Sequence, residues 1–378
     1  ITRLNMQKLL ILSLAATSGL AAIASSHSNT PASLKEVYAP FFTVGAAVKE
    51  THFEGREADL LISQYNSITP ENLLKWEKVH PTENVFFWDH ADAMVEFGTR
   101  NGLEIFGHTL IWHNQTPEWV FKDAEGNDVS PELLLERMRN HIHTVVGRYK
   151  GRIHGWDVVN EALNEDGSMR ESAFYRILGE DYIAKAFIFA HEADPDAQLI
   201  YNDFNIENPE KRAGTVRLIR KLLDQGIPIS GVGIQEHVRL DWPSRELLSE
   251  AISEYAALGI KVMITELDVD VLPSAFDNQG ADLSLHAELR DELNPYANGL
   301  PEDVQQALAK RYGELFSVYL EHADAIARVT LWGLHDGGSW LNHWPMRGRT
   351  SYPLLHDRNM EPKPAFFKIL EVGTHHPR

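Results

Sequence analysis

The chain alternates short apolar, β-branched runs with longer amphipathic stretches, and this alternation restricts its fold more than any other feature. Eight runs are predicted to be strands: Phe42–Val48, Ser67–Asn72, Leu103–Trp112, Ile153–Glu161, Gln198–Asn205, Gly231–His237, Lys261–Val269 and Val329–Asp336. Strand and helix alternating eight times predicts an α/β fold with a single (β/α)8 TIM barrel, in which parallel strands close into a ring.

Proline and glycine mark the boundaries of the helical stretches between these strands. The predicted helices are Pro131–Tyr149, Ala173–Ala193, Pro209–Gln225, Ser244–Leu258 and Pro301–His322. Three of the five begin with proline, which suits a first helical turn, and Gly226 and Gly259 follow Pro209–Gln225 and Ser244–Leu258, where a helix should end. A doubly wound open sheet is the structural alternative. It would not need eight units, and the chain has no glycine-rich dinucleotide turn.

The N-terminal residues have the pattern of an export signal. Arg3 and Lys8 precede an apolar run over 9–23, and Ala22–Ala24 provides a small-x-small cleavage site. The apolar run is short for a transmembrane helix. We therefore expect residues 1–24 to be a signal peptide and the mature protein to be periplasmic or secreted.

The remaining chain shows no second domain. Initiation at Met6 would leave the residues before it as upstream sequence, and residues 25–378 are expected to form one barrel domain after a short polar linker. The irregular stretch Leu272–Leu300 is long for a loop inside a compact barrel, which is typical of a functional loop but also fits a solvated insertion. Its role is left unassigned.

Charge and cysteine usage exclude several classes of partner and site. Lysine and arginine number 35 against 54 aspartates and glutamates, which gives a formal charge of −19 at pH 7. Nucleic acid or an anionic membrane would be repelled, so we expect neither as a partner once the signal is removed. The chain has no cysteine. Disulfides, thiolate metal sites and a cysteine nucleophile are therefore excluded.

Polar residues concentrate where the predicted strands end. The fourth strand ends in Asn160-Glu161, and the seventh ends in Glu266 and Asp268. Because the carboxyl ends of barrel strands form one rim, these groups should meet there. The other strand ends add Glu71, Asn72, Lys75, Trp76, His108, Trp112, His113, Tyr201, Asn202, Asp203, Gln235, Glu236, His237 and Trp332. Amides, carboxylates and indoles on one rim fit a neutral, hydroxyl-rich ligand.

Two carboxylates across such a site suggest glycoside hydrolysis. One would protonate the leaving oxygen, and the other would attack or stabilise the anomeric carbon. A lone strand-end glutamate is more often an ion-pair partner. A pair on strands four and seven of the same barrel, Glu161 and Glu266, favours catalysis.

Six motifs, in a fixed order along the chain, identify a family. They are Thr69–Trp76, Gly107–His113, Trp156–Ala162, Tyr201–Asp203, Gly233–His237 and Ile264–Asp268. With them, the chain from about Leu34 to Leu370 resembles the family 10 glycoside hydrolases, the endo-β-1,4-xylanases. The resemblance implies endo-acting hydrolysis of xylan or xylo-oligosaccharides by a retaining double displacement.

The resemblance also implies roles for individual residues. Glu161 would be the acid/base and Glu266 the nucleophile, with His237 bonding the nucleophile and Asp268 orienting His237. This relay would keep Glu266 ionised, and its charge would raise the proton affinity of Glu161. Asn160 precedes the acid and could hold a sugar 2-hydroxyl in the transition state.

By the same resemblance, further residues would bind the sugars. On the glycone side these are Glu71, Asn72, Lys75, His108, Trp112 and Gln115. The innermost pocket is completed by Asn160, Gln235, Trp332 and Trp340, with the two tryptophans closing over a xylose ring. Beyond the cleavage point, Tyr201 would stack on an aglycone sugar, and Arg347 and Tyr352 would shape the aglycone rim.

Three alternatives stay open from the sequence. The 18 histidines suggest a metal enzyme. However, His141 and His143 sit at i, i+2 in a helix and point apart, and His108 and His113 lack a Glu-x-x-His pattern. We expect no metal, no cofactor and a monomer. The second alternative is a β-1,4-glucanase of the same clan. The third is a non-catalytic polysaccharide-binding barrel, although such a protein should lack one of the two carboxylates.

Overall fold

A computed structural model describes residues 33–276, 281–288 and 290–377, and this part of the chain forms a closed parallel barrel. Its eight barrel strands are β1 (Thr43–Val48), β2 (Ser67–Pro70), β3 (Glu104–Trp112), β4 (Gly155–Asn160), β5 (Gln198–Asp203), β6 (Gly231–Ile234), β7 (Lys261–Asp270) and β8 (Ile326–Leu331). Each strand pairs in parallel with the next, and β8 pairs with β1. The predicted (β/α)8 fold is confirmed.

Helices connect consecutive strands and cover the outside of the barrel. The described α-helices are α1 (Leu34–Tyr38), α2 (Gly55–Gln64), α3 (Trp76–Val79), α4 (Asp89–Arg100), α5 (Pro131–Arg148), α6 (Ala173–Leu178), α7 (Asp181–Ala193), α8 (Pro209–Asp224), α9 (Arg245–Ala256), α10 (Glu302–Glu321) and α11 (Pro364–His375). Short 3₁₀ turns occupy Glu50–Phe53, Glu118–Val120, Asp291–Leu293, Asp336–Gly338 and Trp340–Asn342.

Helix ends follow the expected local chemistry with one exception. Ser130 caps α5 by accepting the N–H of Leu133, and Pro131 occupies the first turn. The predicted single helix over Ala173–Ala193 is two helices, α6 and α7. The break falls at Gly179, whose φ of 67° lies in the left-handed region where glycine is favoured, so α6 stops there.

Close approach of β3 and β4 sets the register between these two strands. Trp156 is 1% exposed and lies flat against Gly107, where a Cβ atom would come within 2.1 Å of the indole. Burying an indole of roughly 200 Å² stabilises the fold by up to about 5 kcal/mol. The same register places His108 opposite Asp157, and a one-residue shift between His108 and Ile111 then places Trp112 opposite Asn160. Packing at the base of the strands therefore aligns the polar groups at their ends.

Strand six differs from its prediction in a way that shapes the site. It ends at Ile234, and a short separate strand, His237–Arg239, pairs with β7 instead, with His237 opposite Asp268. Between the two pieces Glu236 takes a φ of 63°. The turn at Glu236 ends the barrel pairing of β6 and brings His237 next to the end of β7.

The predicted signal peptide, residues 1–24, lies outside the described residues. Across the described part of the chain, no helix combines the length and the apolar character needed to cross a membrane.

Candidate active site

The carboxyl ends of the strands surround a cleft of about 870 Å³. Its walls contain 14 of the 17 predicted site residues: Glu71, Asn72, Lys75, His108, Trp112, Gln115, Asn160, Glu161, Gln235, His237, Glu266, Trp332, Trp340 and Arg347. Asp268 lies directly behind His237. Tyr201 and Tyr352 lie elsewhere, as described below.

Glu161 is a carboxyl group surrounded by neutral donors. Its Oε2 accepts the indole N–H of Trp112 at 2.8 Å, and its Oε1 accepts from Gln235 at 3.0 Å and from Asn160 at 3.2 Å. Burial raises the pKa of Glu161, and the nearby charge of Glu266 adds to this, against the lowering by the hydrogen bonds. Glu161 thus keeps its proton to a higher pH than an ordinary glutamate does.

The backbone of Glu161 is held in an unusual conformation. Its φ of 57° lies in the left-handed region, which costs a residue with a side chain about 1 to 2 kcal/mol. Its N–H donates to the carbonyl of Asn202 at 2.9 Å, and its own carbonyl accepts the Nε–H of Arg170 at 3.0 Å. These bonds fix the turn that ends β4 and aim the carboxyl into the cleft.

Glu266 has the same exposure as Glu161, 5%, but its surroundings are cationic. Its Oε1 accepts from Asn202 at 2.7 Å, and its Oε2 accepts from His237 Nε2 at 3.1 Å. Nδ1 of His108 lies 3.9 Å from Oε1. Burial would raise the pKa of Glu266, but His108, His237 and Asn202 outweigh it and hold this pKa below its usual value. Glu266 is therefore ionised.

His237 carries its charge because of Asp268. Its Nδ1 donates to Asp268 Oδ1 at 2.9 Å, and the indole of Trp340 donates to the other oxygen of Asp268 at 2.8 Å. Burial would lower the pKa of His237, yet Asp268 and Glu266 raise it to about 10. Both ring nitrogens then bear protons, and His237 can bond Asp268 and the Glu266 carboxylate together.

Asn202 is a site residue that sequence reasoning did not assign. It is 0% exposed, and its amide donates both to Glu266 and, at 2.9 Å, to Asn160 Oδ1. Its own carbonyl oxygen accepts the hydroxyl of Thr265 at 2.6 Å. Since Asn160 also bonds Glu161, Asn202 links Glu161 and Glu266 through a chain of side-chain amides. The feature of the sequence that could have identified Asn202 as a site residue is its position at the end of β5.

Tyr201 is one of two predicted site residues that the structure places outside the cleft; Tyr352, described below, is the other. The ring of Tyr201 is 0% exposed, and its hydroxyl donates to Asp203 at 2.5 Å and accepts the N–H of Ala162 at 3.2 Å. Side chains alternate along a strand, so with Asn202 directed towards Asn160 and Glu266 its neighbours point the other way. The predicted stacking of Tyr201 on an aglycone sugar is therefore wrong.

A cationic cluster lies at the β2 side of the cleft. The Lys75 ammonium donates to Asn72 and Gln115, each at 3.0 Å, and sits 4.7 Å from the ring centre of Trp112. Burial lowers the pKa of Lys75, against the effect of Glu71 and other carboxylates. Lys49, which was not predicted, pairs with Glu71 at 3.3 Å. Ammonium, amide and carboxylate groups here can bond several hydroxyls at once.

The loop after β8 contributes more than was predicted. Trp344 stacks on Trp340 with ring centres 4.8 Å apart and lines the cleft, as does Arg347. Tyr352 does not line it, since its hydroxyl donates to the carbonyl of Tyr296. The stretch left unassigned in the sequence also reaches the cleft, through Ala281, Leu283, His286 and Ala287.

Of the histidines that suggested a metal, His108 lines the cleft, His143 pairs with Glu192 at the surface and His141 packs in the core. His141 is 0% exposed, stacks on Trp76 at 3.8 Å and contacts His80, nitrogen to nitrogen, at 3.2 Å. Within the described ranges, no cluster of three or more histidine, aspartate or glutamate side chains is arranged to hold a metal ion.

Comparison with known proteins agrees with this geometry. The family model described as Glycosyl hydrolase family 10 matches residues 33–372, nearly the whole described chain. The chain belongs to glycosyl hydrolase family 10. The strand-end residues that lead to this family from the sequence are those that line the cleft.

The relatives of this family 10 hydrolase are named as xylanases. It is 42% identical to endo-1,4-beta-xylanase A of Xylanibacter ruminicola, over 93% of this chain and 95% of that protein. It is 43% identical to a beta-1,4-xylanase of Dictyoglomus thermophilum, over 90% of each. A family 10 endoxylanase structure from a sugarcane soil metagenome matches with a TM-score of 0.87 and 48% identity, over 90% of this chain and 99% of that one.

Proposed function

We propose that this family 10 hydrolase is an endo-β-1,4-xylanase that cleaves xylan and xylo-oligosaccharides with retention of configuration. The observation that best supports the proposal is the contrast between two equally buried carboxyls. Glu161 has a raised pKa and neutral donors, whereas Glu266 has a lowered pKa and cationic neighbours. A retaining glycosidase needs one protonated and one ionised carboxyl at the same time.

In the first step, Glu161 donates its proton to the glycosidic oxygen while a Glu266 oxygen attacks the anomeric carbon. The leaving chain departs as an alcohol, and the sugar is joined to Glu266 as an ester. His237 and Asn202 hold Glu266 at 3.1 and 2.7 Å, so the nucleophile enters the reaction already oriented.

In the second step, the negative charge is on Glu161 and no longer on Glu266. Glu266 is now neutral as an ester, so its repulsion of a negative Glu161 is gone and the pKa of Glu161 falls. Ionised Glu161 takes a proton from water, which attacks the anomeric carbon and frees Glu266. Trp112 and Gln235, both donors to Glu161, stabilise the ionised form in this step.

Xylose as the central sugar is supported by the indoles around the innermost pocket. Trp332 is 5% exposed and sits edge-on to His108 at 5.2 Å, and Trp340 is held by its bond to Asp268. Rings fixed this closely leave little space for the exocyclic CH₂OH that glucose carries and xylose lacks. Relative kcat/KM on xylan and on soluble cellulose derivatives tests this point, and a preference for glucose polymers would replace the xylanase proposal by the glucanase one.

The roles of the two carboxyls are tested by alanine substitution. Glu266→Ala should abolish hydrolysis and retain xylo-oligosaccharide binding, because it removes the nucleophile but few sugar contacts. Glu161→Ala should slow xylan hydrolysis by about 10²–10⁴-fold and spare the glycosylation step of aryl xylosides with acidic leaving groups, which need no proton. Glu125→Ala, in an exposed turn, is the matched control. Equal damage to both substrate classes by Glu161→Ala would show that the acid role is wrong.

We also propose that the protein is exported and that its mature form is a monomer, with residues 25–378 as one catalytic barrel. The N-terminal basic and apolar pattern of residues 3–24 supports export. N-terminal sequencing of protein recovered outside the cytoplasm and light scattering during gel filtration test the two parts separately.

A further inference from the structure

Two buried carboxyls beneath the cleft have no part in the mechanism above. Glu207 follows β5 and Glu236 follows β6, and each is 1% exposed. Ionised carboxylates are almost never buried this deeply without a cation or several donors. Their position one layer behind the catalytic groups needs an explanation.

Neither carboxyl has the partners that a buried carboxylate requires. Among the described residues, no side-chain donor reaches either oxygen of Glu207 or Oε1 of Glu236, and the Tyr319 hydroxyl lies 3.5 Å from Glu236 Oε2. The two carboxyls lie close enough for each to alter the pKa of the other. Because three of their four oxygens accept no hydrogen bond within the described part of the chain, two ionised carboxylates here would repel each other without compensation, and one proton held between them removes that repulsion.

The charged and titratable groups around the pair come from β5, α8, α9, α10 and the loop after β4: Asp203, Lys211, Arg212, Tyr255, Arg311, Tyr312, Tyr319 and Glu165. Each of the three cations already has a carboxylate partner. Lys211 is paired with Asp203 at 3.0 Å and Glu165 at 3.1 Å, and Arg212 with Glu254 at 2.8 Å. Arg311 lies 3.9 Å from Glu314, and its other N–H groups bond backbone carbonyls. These cations therefore do not balance two full negative charges on the carboxyl pair.

Glu236 stands between two residues that hold the catalytic carboxyls. Gln235 donates to Glu161, and His237 donates to Glu266. The backbone of this segment is tied to β7, because Glu266 N–H donates to the Gln235 carbonyl at 2.9 Å and Asp268 N–H donates to the Glu236 carbonyl at 3.3 Å. Movement of the Glu236 side chain would therefore shift Gln235 and His237 and alter their hydrogen bonds to Glu161 and Glu266.

We propose that Glu236 is a positioning residue, whose carboxyl shares one proton with Glu207 and thereby fixes residues 235–237 against Glu161 and Glu266. The inference rests on the proposed roles of these two glutamates. When hydroxide removes the shared proton, two adjacent negative charges repel each other in the core, and Gln235 and His237 lose their alignment. Burial raises the pKa of both carboxyls, and the charge of Glu207 raises that of Glu236 further, so this loss occurs on the alkaline side.

The kinetic test uses Glu236→Gln, whose amide can donate to an ionised Glu207 without a shared proton. The substrate is an aryl β-xylobioside with an acidic phenol, so that kcat/KM does not depend on the protonation of Glu161. We expect kcat/KM of Glu236→Gln to match the wild type near neutral pH and to stay high at alkaline pH where the wild type falls. Glu236→Ala should lower kcat/KM about tenfold at all pH values, because the bond is lost. An alkaline limb of Glu236→Gln that superimposes on the wild type would overturn the proposal.

A stability measurement tests the shared proton separately from catalysis. A carboxyl whose folded pKa is raised stabilises the fold below its ordinary pKa, and this contribution is lost as pH rises through the raised value. The melting temperature of the wild type should therefore fall with rising pH more steeply than that of Glu236→Gln or Glu207→Gln, while Glu125→Gln should follow the wild type. Equal slopes in all four proteins would refute the shared proton. An inactive wild type with unequal slopes would instead refute the proposed function alone.

Discussion

Replacing Asn202 by aspartate should move the acid limb of the pH profile upward. The two side chains have the same shape, so the substitution leaves no cavity. It exchanges the amide that donates to Glu266 Oε1 at 2.7 Å for a carboxylate oxygen at the same place. The nucleophile, whose pKa is now held below its usual value, would face a buried negative charge at contact distance.

The size of the effect follows from Coulomb's law. Two carboxylate charges about 4 Å apart repel by about 4 kcal/mol at an effective dielectric constant of about 20. Since about 1.4 kcal/mol corresponds to one pH unit, full repulsion would move the limb by about three units. Because His237 stays next to Glu266 and one proton can be shared by the two carboxyls, we expect an upward shift of about one to three units.

The assay is kcat/KM on an aryl β-xylobioside with an acidic leaving group, measured across the acid limb. With such a substrate the limb reports the ionisation of Glu266 and not the proton on Glu161. Asn140→Asp adds the same charge on the exposed face of α5 and is the matched control. If Asn202→Asp has full activity on the plateau and an acid limb that coincides with the control, the electrostatic account of Glu266 is wrong.

Three further substitutions or treatments have defined outcomes. The pKa of the wild-type His237 imidazole is raised to about 10, so its protonation stabilises the fold below about pH 6.5, and this stabilisation is lost as pH rises to about 10. In His237→Asn the melting temperature should therefore fall less between about pH 6.5 and 10 than it does in the wild type. An equal fall in the two proteins would contradict this. Lys75→Met should raise KM for xylotriose about tenfold with kcat little changed, since it removes charged donors used in binding. A fall in kcat alone would instead assign Lys75 to the chemical step. Dialysis against a chelator should leave turnover intact, and activity restored only by a divalent cation would show a metal requirement.

The barrel was predictable because its signal is repeated. Eight apolar runs that alternate with helical stretches are a stronger constraint than any single run, and errors at their ends do not change the topology. Strand eight was predicted over Val329–Asp336 and is found over Ile326–Leu331. This shift leaves its order and direction intact, and Trp332 still reaches the cleft.

The assignment of Tyr201 failed because the sequence does not give the direction of side chains at a strand end. In Tyr201-Asn202-Asp203 every residue can bind a sugar, and a change of one residue in register exchanges the cleft face for the opposite face. The Asn202 side chain is directed towards the two carboxyls because its amide bonds Asn160 and Glu266, which belong to other strands. That arrangement depends on contacts more than 40 residues apart in the chain.

The difference in pKa between Glu161 and Glu266 likewise arises only in the assembled barrel. Glu161 and Glu266 are the same residue type, end strands of one rim and have the same 5% exposure, so burial alone would raise the pKa of both. They differ in the groups that surround them. Glu161 accepts from an indole and two amides, whereas Glu266 has His108 and His237 beside it, and these lower its pKa. The proposed roles of acid and nucleophile therefore depend on contacts between separate strands, because β3 brings His108 and the short strand His237–Arg239 brings His237 to Glu266 on β7.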